Sequence, residues 1–100
     1  MFHFRKSYAV TITYRNDGDV AVYLFRTEQE AVKFLREAYE GELRFEREET
    51  NWDVKGCIFD DGHSAKITTQ HVSYVDGVEH RSEDRVQYRI GRVYSVKHFY

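Results

Sequence analysis

One segment of this chain has the periodicity of a helix, and segments of period two lie on both sides of it. Thr27-Glu28-Gln29-Glu30 is a capping box, in which the threonine hydroxyl and the Glu30 carboxylate each satisfy an orphan amide of the first turn. Ala31, Phe34, Leu35, Ala38 and Phe45 follow at helical spacing, with Tyr39 and Glu42 at the margin of the stripe. Gly41 interrupts at a cost of about 1 kcal/mol relative to alanine, which predicts a kink or fraying beyond it. A single helix covers only one face of a sheet. Whatever the flanking segments build therefore has a second face, open to a partner or covered by a loop such as residues 76–85.

Those flanking segments read as strands. Residues 8–14, YAVTITY, alternate between an apolar and a small polar face. The turn that follows suits a three-residue loop, Asn16-Asp17-Gly18, with Gly18 in the left-handed conformation. That register sets Tyr14, Ile12 and Val10 against Val20, Val22 and Leu24, and leaves Tyr23 and Phe25 facing outward beside Thr11, Thr13 and Ala21. Asp60-Asp61-Gly62 repeats the chemistry between strands at 53–59 and 63–75, placing Cys57 and Phe59 on one face with Ala65 and Ile67. Asp76-Gly77 marks a type I′ hairpin. A last strand, 86–96, puts Val86, Tyr88, Ile90, Tyr94 and Val96 on one face with Arg92, and Gln87, Arg89, Ser95 and Lys97 on the other. The order ββαβββ predicts a two-layer α+β domain over residues 1–100, an antiparallel sheet of about five strands packed on a single helix.

Composition narrows the function. Hydrophobic residues are 41% of the chain and aromatics 16%, which excludes intrinsic disorder. Proline is absent, which removes the usual marker of a flexible linker. A single cysteine, Cys57, excludes an intrachain disulfide framework and a multi-thiolate zinc site, and points to a reduced, cytoplasmic setting. Arg5 and Lys6 interrupt the start too early for a signal sequence, and no stretch has the length of a membrane span. The net charge of −2 argues against a general nucleic-acid binder. Its distribution is uneven: eight acids face four bases between Glu28 and Glu49, against seven of each in residues 51–100.

The residues that carry chemistry elsewhere have structural explanations here. Asp60-Asp61-Gly62-His63 holds carboxylates and an imidazole, but lacks the further oxygen ligands and distal glutamate of a calcium loop, and turn preferences account for each residue type. His63, His71, His80 and His98 show no HxxxH or HExxH spacing. Cys57, between Gly56 and Ile58, reads as a small core residue rather than a nucleophile. With no GxSxG, phosphate-binding or dinucleotide-binding motif, the reading is that the chain is not an enzyme and needs no metal or cofactor. A sheet face could stack single-stranded nucleic acid, with Tyr23, Phe25, Arg89 and Lys66 the residues to suspect. The same outward aromatics suit a protein partner or a homodimer.

The acidic helix TEQEAVKFLREAYEGELR directly after a hairpin, followed by NWDV, FDDGHSAKI and VQYRIGRV, resembles small single-domain proteins of phages and mobile elements, anti-CRISPR proteins among them. That resemblance implies stoichiometric inhibition of a host defence protein or nucleoprotein complex in the host cytoplasm. An acidic helix would then occupy a channel that normally holds phosphates. Glu37, Glu40, Glu42, Glu46, Glu48 and Glu49 are the residues such charge mimicry would use, with Tyr23 and Phe25 as a second contact surface. The alternative role for the six acids is a solvated helix face.

Overall fold

The computed structural model describes residues 8–15, 18–49 and 53–93. The chain forms β1 (Tyr8–Tyr14), β2 (Asp19–Phe25), α1 (Glu28–Glu49), β3 (Asp53–Phe59), β4 (Ser64–Val75) and β5 (Val78–Arg92). The strands make one antiparallel sheet in the order β2-β1-β5-β4-β3, with α1 across one face. The expected two-layer α+β architecture is therefore the observed one. Tyr94, Ser95, Val96, Lys97 and His98 lie outside the described residues, as do Asn16, Asp17, Asn51 and Trp52.

The helix begins as its sequence dictates. The Glu30 backbone N–H donates to Thr27 Oγ1 at 3.1 Å, and the Thr27 hydroxyl donates to Glu30 Oε1 at 3.0 Å. The cap thus satisfies one amide and ties the two side chains together, rather than satisfying two amides. Ala31, Leu35 and Tyr39 then bury against Val10, Ile12, Val54, Ala65, Ile67, Val86 and Tyr88. Tyr39 meets Tyr88 edge to face at 6.1 Å. Leu35 is fully buried and contributes about 1.5–3 kcal/mol by removal from water.

The helix keeps its hydrogen-bonded course through Gly41, and its inward stripe continues through Glu42 and Leu43 to Glu46. Phe45, expected in the core, is 57% exposed, whereas Glu46 is 8% exposed. A partner for the carboxylate explains the exchange: Arg15, at the end of β1, lies 3.9 Å from Glu46 and 3.3 Å from Asp84.

Two hairpins have loops one residue longer than the sequence suggested. Tyr14 pairs with Asp19, so residues 15–18 connect β1 to β2, and Phe59 pairs with Ser64, so residues 60–63 connect β3 to β4. In each case a residue other than glycine adopts a left-handed backbone: Arg15 at φ 54°, and Asp60 and Asp61 at 54° and 52°. Gly18, at φ 83°, is left-handed as expected. A shift of one residue turns every side chain of a strand to the opposite face. Val10 now opposes Tyr23, Ile12 opposes Ala21, and Ile58 opposes Ala65.

Three expectations are corrected by that shift. Tyr23 and Phe25 lie on the helix face, their rings 4.7 and 5.0 Å from that of Phe34. Val20, Val22 and Leu24 take the outer face instead. Cys57, expected in the core, is exposed on that outer face opposite Lys66. The third hairpin agrees with its sequence: Val75 pairs with Val78 across Asp76 (φ 53°) and Gly77 (φ 77°).

β4 and β5 outrun their neighbours. β3 pairs with β4 only as far as Gln70, and β1 with β5 only from Val86 onward. Among the described residues, 71–82 pair only with one another, as an arm about 17 Å long by the rise of an antiparallel strand.

Candidate functional site

The register assigns a composition to the sheet face that α1 leaves uncovered. Across its centre lie Thr11 and Thr13 from β1, Gln87 and Arg89 from β5, and Ser64 and Lys66 from β4, each a cross-strand neighbour of the next. They line a concavity of about 380 Å³ together with Phe59, which is 47% exposed. On the β2 side, Val20, Val22 and Leu24 oppose Thr13, Thr11 and Ala9 and are 57%, 56% and 49% exposed. An aliphatic strip thus runs beside a polar, basic hollow.

The electrostatics of this face follow from β5. Its outward residues read Glu79, Arg81, Glu83, Arg85, Gln87, Arg89, an alternation of sign that stops at Gln87. The first four neutralise one another: Arg81 Nε donates to Glu79 at 2.9 Å and Arg85 Nε to Glu83 at 2.8 Å. Arg81 and Arg85 hold those two carboxyls below the ordinary carboxylate range. Lys55 pairs with Asp53 at 4.0 Å. Among the described residues no carboxylate comes within 4.0 Å of Lys66 or Arg89, although Lys66 acts on Glu83 at longer range. The hollow therefore carries two cations and several neutral hydrogen-bonding groups, one of which, the Ser64 hydroxyl, donates to the Asp60 carboxylate at 3.5 Å.

The acidic helix divides into two populations. Glu42 and Glu46, both expected on the presented face, point inward. Burial, and next the Glu46 charge, push the Glu42 carboxyl upward, while Arg15 opposes them. The same enclosed corner raises the Tyr88 and Tyr14 hydroxyls, through burial first and nearby charge second. Glu37, Glu40 and Glu48 are exposed, but so are Lys33, Arg36, Arg44 and Arg47. The side chain of Glu49 lies outside the described residues. From Lys33 to Glu48 the exposed charges are four basic and three acidic, and two of the helix's four surplus acids, Glu42 and Glu46, are turned inward.

The remaining candidates make local contacts. His63 Nδ1 lies 2.8 Å from the Asp60 carbonyl oxygen and Nε2 lies 3.5 Å from Glu28, which tethers the β3–β4 loop to the start of α1. The Asp60 carbonyl, and beyond it Glu28, raise the imidazole pKa. His71 Nδ1 lies 3.3 Å from Ser82 Oγ within the arm. The Cys57 thiol contacts the Ile58 carbonyl at 3.9 Å rather than a histidine. Among the described residues no three His, Cys, Asp or Glu side chains gather in a metal-holding group, and no helix is long and apolar enough to cross a membrane.

Of the four residues suspected of nucleic-acid contact, the fold unites Lys66 and Arg89 and removes Tyr23 and Phe25. Thr11, Thr13, Gln87 and the Val20-Val22-Leu24 strip were not foreseen as site residues. The interrupted Glu/Arg alternation along residues 79–89 is the sequence signal that marks the hollow. No protein family, curated protein or solved structure matches the chain.

Proposed function

We propose that this chain is a non-catalytic protein-binding module whose working surface is the outer sheet face. Lys66 and Arg89 receive acidic groups of the partner, and Val20, Val22 and Leu24 supply apolar contact. One observation carries the reading: a hollow lined by Lys66 and Arg89 and by no acidic side chain, with the Asp60 carboxylate accepting from Ser64 beside it, lies on the same face as an exposed aliphatic strip. Protein interfaces combine apolar contact with a few anchoring polar groups in this way. Among the described residues lining the hollow, a nucleic-acid strand would find two cations and one exposed ring, Phe59, which offers few phosphate contacts and a single stacking platform there.

The helix is the weaker contact surface, because mimicry of phosphate loses Glu42 and Glu46 and retains acids interleaved with bases. The resemblance to phage-encoded inhibitors supports a partner within a host defence complex. Capture from a host lysate with the full chain, read by mass spectrometry, tests both surfaces. Lys66→Glu with Arg89→Glu should abolish recovery of the partner, whereas Glu37→Gln, Glu40→Gln and Glu48→Gln together should preserve it. The opposite pattern would transfer function to the helix. Recovery that disappears on nuclease treatment would make the ligand a nucleic acid.

A further inference from the structure

β2 is an edge strand, and beyond Asp19 at its start its sequence lacks what edge strands use to avoid pairing. Natural edges are blunted by lysine, proline, bulges or inward charge. Val20-Ala21-Val22-Tyr23-Leu24-Phe25 has none of these, and among the described residues no strand lies beyond it. The opposite edge, β3, carries the exposed charges of Asp53 and Lys55 and a glycine at its centre.

We infer that β2 pairs antiparallel with β2 of a second copy, about a twofold axis through Val22. In that register Val20 opposes Leu24 of the second copy, Val22 opposes its counterpart, and the small Ala21 opposes the large Tyr23. Every opposed pair from 20 to 24 is apolar, and large side chains meet small ones on the helix face. A twofold axis satisfies all of these contacts at once, because both copies use the same patch. The product is one ten-stranded sheet with both helices on the same side. The three exposed aliphatic residues of each copy form a six-residue strip between two basic hollows.

Sedimentation velocity on the full chain, over a concentration series, should show a species of twice the 12.0 kDa chain mass. Hydrogen exchange should show β2 amides gaining protection as concentration rises. Val22→Lys places two ammonium groups opposite each other at the axis and should return the 12.0 kDa species with an unchanged circular dichroism spectrum. Val72→Lys, on the arm, should leave the dimer intact. A wild-type chain that stays at 12.0 kDa throughout, or a dimer that survives Val22→Lys, or β2 exchange independent of concentration, overturns the inference.

Discussion

Replacing Glu46 with glutamine separates an acid that builds the fold from one displayed to solvent. The side chain is 11% exposed and lies 3.9 Å from Arg15, itself 53% exposed. At that distance the gross attraction is about 4 kcal/mol for an effective dielectric near 20. Desolvation of the carboxylate offsets much of it. Exposed pairs are worth about 0.2–1 kcal/mol, and breaking a buried pair costs about 3–5 kcal/mol. Arg15 keeps Asp84 at 3.3 Å, so it is not stranded, and the loss of the Glu46 charge also relieves Glu42. The net cost should be about 1 kcal/mol, a fall of about 4–8 °C in melting temperature for a domain of this size. The exposed acids Glu37, Glu40 and Glu48 should each change stability by less than about 0.5 kcal/mol when made glutamine. Thermal melts by circular dichroism at pH 7 compare the four variants directly. If Glu46→Gln melts with the parent while the exposed variants lose several degrees, the division of the acids into internal and displayed sets is wrong.

Glu42→Gln should raise the melting temperature at pH 7, because the fold holds the Glu42 proton more tightly than the unfolded chain does. For a carboxyl raised in this way, stability falls as pH climbs from the ordinary carboxylate range through the folded value. The advantage of the glutamine variant should therefore shrink toward zero below that range, and an advantage that grows on acidification would contradict the assignment. Gly56→Ala should destabilise by about 1–3 kcal/mol, the usual cost of overpacking. A methyl there meets the Tyr39 hydroxyl and both Leu43 methyls, which are 3.0 Å from the new carbon. Urea denaturation measures it, and an unchanged midpoint would mean that α1 is not seated against β3.

The strands, the capped helix and the type I′ hairpin were legible in the chain because each rests on local chemistry. Alternation in YAVTITY, the Thr27–Glu30 box and Asp76-Gly77 need no distant residue to be interpreted. Register was not legible, and the physical cause is specific. Turn preferences assign left-handed backbone to glycine, yet Arg15, Asp60 and Asp61 adopt it here and lengthen both loops. That one residue exchanged the faces of Tyr23 and Val22, and of Cys57 and Ile58. The phase of the late helix was illegible for a different reason. Hydrophobicity alone places Phe45 inside and Glu46 outside, and only the approach of Arg15 from β1 reverses them. The basic hollow combines both difficulties, since Lys66 and Arg89 were recognised but their neighbours depended on register.

The pairing of β1 with β5 also determines how the domain would respond to force. Tyr8 opposes Arg92, at the same end of the central seam, and Tyr14 opposes Val86 at the other. Tension applied through residues 8 and 92 would load that seam from one end, across the strands rather than along them. Hydrogen bonds of an antiparallel ladder run perpendicular to the strands, so each would carry the load alone and yield in turn. The two strands would peel apart like a zipper, beginning at Tyr8–Arg92 and ending at Tyr14–Val86, and the domain would give way at low force from its middle.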